Sequence, residues 1–272
     1  MDTIRIIHNL PRSGGTIISK SLGVQKDIVL LSEIHPLGPL VREKMGVDPT
    51  FGQPIYQAQS WYKLFDEDDL DKIRGKTLSF VDRIKFICKK IKEKNKNLII
   101  RDWSFVDFLG EPYIKPTKKN ALLEILSNHF KIKSIYVIRD PLQNYLSCCN
   151  RLTFFLQHYS FDLFLDGYNS YLKNISKDNS IIFEKFIKKP ENGLKKISSI
   201  LNFNFDEKNL EKLNNLNGLK ITGDIQANNS KVIRTVKKWD NILSNKEKEK
   251  INNNLKYIEI KKQLKELMKK DF

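Results

Sequence analysis

Two segments of the sequence run an apolar strand into a turn suited to an anion: IRIIHNLPRSGGT from Ile4 to Thr16, and IYVIRDPLQNYLS from Ile135 to Ser147. In the first, Pro11 to Thr16 make a tight turn ahead of a short helix from Ile17 to Leu22, closed by Gly23. Backbone N–H groups at a helix start lack an intrahelical partner and point outward, so Ser13, Gly14, Gly15, Thr16 and Ile17 offer donors to an oxyanion. Gly14 and Gly15 let the backbone approach closely or take positive φ, and Arg12 adds a planar positive fork. In the second segment, Arg139 stands at the carboxyl end of the strand. Asp140 suits the cap of the next helix and Pro141 its first position, and Ser147 follows Arg139 by eight residues inside that helix. A ligand with phosphate groups at two ends needs such a pair of sites. The plain alternatives are a surface arginine capping a turn for Arg12, pairing with Asp140 for Arg139, and a small helical residue for Ser147.

Both turns need a sheet to hold them. Strands are expected at Thr3 to His8, Asp27 to Ser32, Asn97 to Arg101, Lys133 to Arg139 and Ser180 to Phe183, with helical stretches between several of them. That alternation predicts an α/β fold, a central parallel sheet flanked by helices. Ligands of such sheets collect at the carboxyl ends of the strands, where both turns fall. Long helices are expected at Pro54 to Leu64, Leu78 to Lys94 and Phe161 to Ile175, and Glu33 to Phe51 reads as an ordered loop or lid. The segment after Ser244 is rich in Lys, Asn and Glu but keeps Ile251, Leu255, Ile258, Leu264 and Leu267, which predicts a packed helix. With neither repeats nor a linker, residues 1–272 read as one domain.

With both turns in view, the chain resembles the sulfotransferases that use 3′-phosphoadenosine 5′-phosphosulfate (PAPS). Pro11-Arg12-Ser13-Gly14-Gly15-Thr16 is similar to that family's 5′-phosphosulfate loop at five of six places, and Gly15 departs where a threonine is usual. The departure removes a hydroxyl and keeps the backbone cradle. Arg139 and Ser147 match the spacing of the family's 3′-phosphate site. The stretch from Ile181 to Phe203 is similar to a strand, turn and helix that serve the family as scaffold rather than chemistry. The stretch SKVIRTVKKWDNIL from Ser230 to Leu243 resembles a loop carrying further 3′-phosphate contacts, which implies Ser230, Lys231 and Arg234. The likeness spans Ile4 to Ile251, and its specificity lies in the order of the motifs. It implies a P-loop-like sulfotransferase architecture, PAPS as cosubstrate and no metal, with the bend and the RDP helix side by side, roughly ten ångströms apart.

Sulfuryl transfer to a hydroxyl needs a group to take the acceptor's proton. Glu33, just beyond the second strand, is the first candidate, since some family members use a Glu after the loop helix. Asp102 and His35 are the others. Their plain alternatives are a loop cap for Glu33, pairing with Arg101 for Asp102, and a turn residue for His35. Cytosolic members often carry a His where this chain has Trp103, so that assignment does not transfer. Arg12, which does not titrate near neutrality, is expected to stabilise charge on the leaving phosphate. Trp61, Trp103 and Trp239 offer rings that could stack on adenine or an acceptor, with buried packing the default reading, and Glu184 reads as a carboxylate bridging strand and helix rather than an acid catalyst.

The 272 residues carry 48 Lys and Arg against 32 Asp and Glu, a formal charge of +16, which suits an anionic partner without naming it. Most lysines sit on helix faces among Glu and Asn, and no nucleic-acid motif stands out, so specific nucleic-acid binding is not expected. A P-loop kinase or NTPase is the other alternative, but PRSGGT lacks a lysine immediately before Thr16. Cys88, Cys148 and Cys149 form no disulfide framework, which fits a reducing cytoplasm, and no apolar run approaches the length of a membrane span. The expected acceptor is a small molecule, carbohydrate or peptide.

Overall fold

Runs of β-branched residues without polar alternation cannot face water on either side, so they pair into a sheet covered on both faces. The structure, a computed structural model, describes residues 1–214 and 243–268. Its strands are β1 (Thr3–Asn9), β2 (Ile28–Ile34), β3 (Asn97–Asp102), β4 (Lys131–Ile138) and β5 (Ser180–Ile182), paired in parallel in the order β2-β3-β1-β4-β5. Between the strands run α1 (Gly15–Gly23), α2 (Gly38–Lys44), α3 (Pro54–Tyr62), α4 (Glu67–Ile73), α5 (Phe80–Glu93), α6 (Phe105–Phe108) and α7 (Ala121–Ser127). Then come α8 (Pro141–Arg151), α9 (Thr153–His158), α10 (Phe161–Leu172), α11 (Phe183–Lys188), α12 (Pro190–Leu201), α13 (Asn245–Asn252) and α14 (Leu255–Met268).

The five strands coincide with the expected ones to within two residues at either end. Neighbouring strand residues point to opposite faces: Ile7, Leu30, Ile99 and Val137 pack against α1 and α12, while Ile6, Leu31 and Ile100 pack against residues of α3, α5 and α7. A third cluster joins α6, α8, α9, α10 and α14 beside the strand ends. The expected loop from Glu33 to Phe51 is instead largely helical, holding α2 and a 3₁₀ turn at Pro49–Gly52. Pro39 sits in the first turn of α2, where its missing N–H costs nothing. The last helix also differs in facing. It buries Tyr257, Ile260 and Leu264, leaving Leu255 82 % and Ile258 49 % exposed. Among the described residues no helix is long and apolar enough to cross a membrane.

Two features of the sheet place the site. The chain leaves β1 toward β2 on one side and later crosses from β3 to β4 on the other, so the strand order reverses beside β1. Such a switch point opens a crevice at the carboxyl ends of the strands. In register, Asn9 lies opposite Val137, so two residues further on Pro11 and Arg139 leave the sheet abreast. On the other side of β1, the pairing of β2 with β3 shifts between Ser32 and Ile34, leaving Glu33 as a bulge with φ of 55°.

One pair between α4 and α5 has a measurable pH signature. Asp69 of α4 accepts from Lys90 of α5 at 2.8 Å, and that contact, with help from the helix cap at Asp66, draws its carboxyl down to about 2. Because the folded value lies below the ordinary one, the contribution is present above about pH 4 and lost as pH falls toward 2. Thermal melts should therefore show a smaller loss of stability between pH 4 and 2 in Asp69→Asn than in the wild type. Equal losses in the two proteins would rule the pair out as a contributor.

Candidate functional site

The turn after β1 is closed by Ser13, whose N–H and hydroxyl both donate to the Leu10 carbonyl, at 3.2 and 2.7 Å. Arg12 and Gly14 both take left-handed conformations, with φ of 61° and 99°. Gly14 caps α1, and no side chain among the described residues caps the first N–H groups of the helix. A Cβ on Gly14 would stand 2.1 Å from the Phe183 ring, and one on Gly15 would stand 2.3 Å from the Asn9 carboxamide. The second contact shows where a threonine side chain would meet Asn9. Gly14→Ala combines strain with a clash, and is expected to lower stability by roughly 2–3 kcal/mol, read as a drop of several degrees in Tm. Adding Phe183→Ala removes the clash and should restore part of that drop. An unchanged Tm in Gly14→Ala would show that the turn relaxes freely.

Arg139 meets this turn from β4. Its Nη1 donates to the Arg12 carbonyl at 2.6 Å and its guanidinium lies 5.3 Å from the Phe183 ring centre. Burial pulls its pKa down, against the opposing pull of Glu184, and its Nε has no partner among the described residues. The Tyr168 hydroxyl on α10 holds the Arg139 carbonyl at 2.6 Å. Asp140 caps α8 by accepting from Gln143 N–H at 3.0 Å, and it pairs with Lys261 of α14 rather than with Arg139. Glu184 accepts from the Asp140 N–H at 3.0 Å, the bridging role expected of it, and burial raises its pKa.

Helix α8 presents one face to the turn. Asn144 donates to the Pro11 carbonyl at 2.6 Å, the Cys148 thiol approaches the same carbonyl at 3.5 Å, and Arg12 Nε reaches Ser147 Oγ at 3.5 Å. Positions 144, 147 and 148 share a face because they are three and four residues apart. Arg12, Arg139 and Ser147 are thus brought together, and more closely than the expected ten ångströms, since parallel register sets their strands side by side. Sequence reading missed Asn144 and Phe183. The stretch holding Phe183 was expected to be scaffold, yet its ring sits against both Gly14 and Arg139. The aromatic residue directly after a short strand was the available signal.

The proton-acceptor candidates separate. Glu33 accepts from Arg101 Nη2 through one oxygen and from Arg42 Nη2 at 3.0 Å through the other, with its side chain 19 % exposed. Asp102 does not pair with Arg101. It is buried, 2.9 Å from His8 Nδ1, and accepts from the Ser104 hydroxyl at 2.7 Å. His35 is also buried: its Nδ1 accepts from the Leu37 N–H at 3.0 Å, so Nε2 carries the proton toward Asp107 at 3.1 Å. Burial raises the Asp107 pKa, with His35 opposing. The ring therefore ties the start of α2 to Asp107 of α6. Trp103 packs under the Arg42 guanidinium at 4.6 Å. Ser230, Lys231, Arg234 and Trp239 lie outside the described residues.

No family model and no curated protein matches the sequence. Solved structures do resemble the fold. The sulfotransferase domain of the Synechococcus PCC 7002 olefin synthase is 18 % identical, with 97 % of this chain and 94 % of that one covered at a TM-score of 0.69. The sulfotransferase domain from the curacin biosynthetic pathway is 17 % identical, with 97 % and 98 % covered at a TM-score of 0.56. The chain has the fold of the sulfotransferases.

Proposed function

We propose that this chain, built on the sulfotransferase fold, transfers a sulfuryl group from PAPS to a hydroxyl or amine. The observation that carries the reading is the convergence of Arg12, Arg139 and Ser147 on the uncapped start of α1. The backbone from Ser13 to Ile17, with Arg12, suits the 5′-phosphosulfate. Arg139, whose Nε has no partner among the described residues, and Ser147 suit the 3′-phosphate. Phe183, beside both, offers a face to the adenine. In the reaction the acceptor oxygen or nitrogen bonds to sulfur as the bond to the bridging phosphate oxygen breaks. Charge moves onto the leaving phosphate, where Arg12 and the α1 N–H groups stabilise it.

Of the three candidates Glu33 best suits the acceptor's proton, because it keeps some exposure and is joined through Arg101 to Thr16. To take a proton it must release one of its two arginines. Asp102 and His35 serve better as struts, for the structural reasons above. The acceptor is a small molecule, carbohydrate or peptide, and the setting is the cytoplasm.

Calorimetry with 3′-phosphoadenosine 5′-phosphate (PAP) tests the donor half. Saturable binding at one site without Mg²⁺ is expected, whereas no heat at any accessible concentration would overturn the reading. Labelled PAPS with a panel of sugars, phenols, lipids and peptides then identifies the acceptor by transfer of label. Turnover of ATP that depends on Mg²⁺ would favour a kinase instead.

A further inference from the structure

Arg101 is nearly inaccessible, 2 % exposed at the end of β3, yet it joins the turn after β1 to the segment that holds α2. Its Nη1 donates to the Thr16 hydroxyl at 3.0 Å and its Nη2 to Glu33. Glu33 in turn accepts from Arg42 of α2, whose guanidinium stacks on Trp103, the residue directly after β3. One continuous chain of contacts therefore runs from the anion turn through the sheet to α2. The chemistry of its first link has a direction. A guanidinium carries donors only, so Thr16 Oγ1 must accept from Arg101, and its own proton is left to point elsewhere. An anion held on the α1 N–H groups would offer that proton an acceptor.

We propose that Arg101 is a positioning residue that couples occupancy of the anion turn to the ordering of α2. This rests on the donor reading given above. An oxyanion that takes the Thr16 proton strengthens the Arg101 bond to the same oxygen, since linked hydrogen bonds polarise one another. Holding that end of the planar fork fixes the other end on Glu33, and Glu33 holds Arg42 and with it α2. Linkage makes the effect reciprocal: an ordered α2 tightens the turn's grip on its anion. The donor would then prepare the acceptor side before the acceptor arrives, with Glu33 in place. Lysine at position 101 cannot serve, because a single ammonium on a flexible stem does not span both partners as a fork does.

Hydrogen exchange of the α2 amides, with and without saturating PAP, tests the coupling. In the wild type PAP should slow exchange across Gly38–Lys44 by about tenfold or more, beyond any general stabilisation seen in α5. Thr16→Ser should keep this protection. Arg101→Met, Arg101→Lys and Thr16→Val should still bind PAP through Arg12 and Arg139 but lose the protection of α2. The double variant Arg101→Met with Thr16→Val should lose no more than either single one. Thr16→Val, nearly isosteric with the native residue, carries the test if Arg101→Met does not fold. Protection that persists in Thr16→Val or Arg101→Met, or that is absent in a wild type that binds PAP, overturns the coupling. A wild type that does not bind PAP overturns the donor reading itself, a separately recognisable result.

Discussion

Arg12→Ala is expected to lower kcat/KM for sulfuryl transfer by about 10³-fold, the effect of removing a preorganised charge from a site where negative charge develops. Three contacts set this side chain apart from a surface arginine. Its carbonyl is held by Arg139, its neighbour's carbonyl by Asn144, and its Nε lies against Ser147. With its backbone at a positive φ, the residue is held by the turn rather than by its own preference. Binding of PAP, which retains the leaving phosphate but has no sulfuryl group, should weaken less, by roughly 10–100-fold. That split between binding and turnover distinguishes stabilisation of the departing phosphate from simple attraction. Arg12→Lys restores charge without the fork and should recover only part of the turnover. Turnover within threefold of wild type in Arg12→Ala would remove Arg12 from the chemistry.

Arg139→Ala should be damaging for two separable reasons. It removes the contact assigned to the 3′-phosphate, and it leaves the Arg12 carbonyl without the donor that holds it at 2.6 Å. Losing a charged donor to a part-buried carbonyl costs about 1–3 kcal/mol, so Tm should fall by several degrees. PAP affinity should drop by about 10²-fold or more. The informative measurement is discrimination between PAP and 5′-AMP, which differ by the 3′-phosphate alone. Wild type should favour PAP strongly, and Arg139→Ala should bind the two almost equally. If the preference for PAP survives the substitution, the 3′-phosphate is held elsewhere, and Ser230, Lys231 and Arg234 become the residues to replace. Ser147→Ala, which removes one hydroxyl and no charge, should reduce the preference only in part.

Parallel strands, once paired, explain why two motifs more than a hundred residues apart can be read together. The apolar runs at Ile4, Leu30, Ile99, Ile135 and Ile181 can be buried in only one kind of sheet, so their number and type follow from local pattern. The two turns are equally local, since glycine, proline and a capping aspartate state their conformations within six residues. The α14 face was less legible, because Leu255 and Ile258 are as apolar as Tyr257 and Ile260. Which pair turns inward depends on what α10 offers: Tyr257, Ile260 and Leu264 pack into the apolar cluster that holds Phe164, Leu165 and Tyr168.

By itself, then, the order of residues determined the sheet, the tight turn after β1, and the capped helix that follows Arg139 and carries Ser147, because each depends on periodicity or on a conformational need of one short segment. Only the tertiary structure decided what surrounds Glu33, Asp102 and His35. Their roles turn on a bulge that aims Glu33 at two arginines, and on partners from distant segments, His8 for Asp102 and Asp107 for His35, that bury the other two. A carboxylate or imidazole has the same formula in a core as at a reacting centre. What distinguishes them is which donors and acceptors surround them, and those come together only when the strands close.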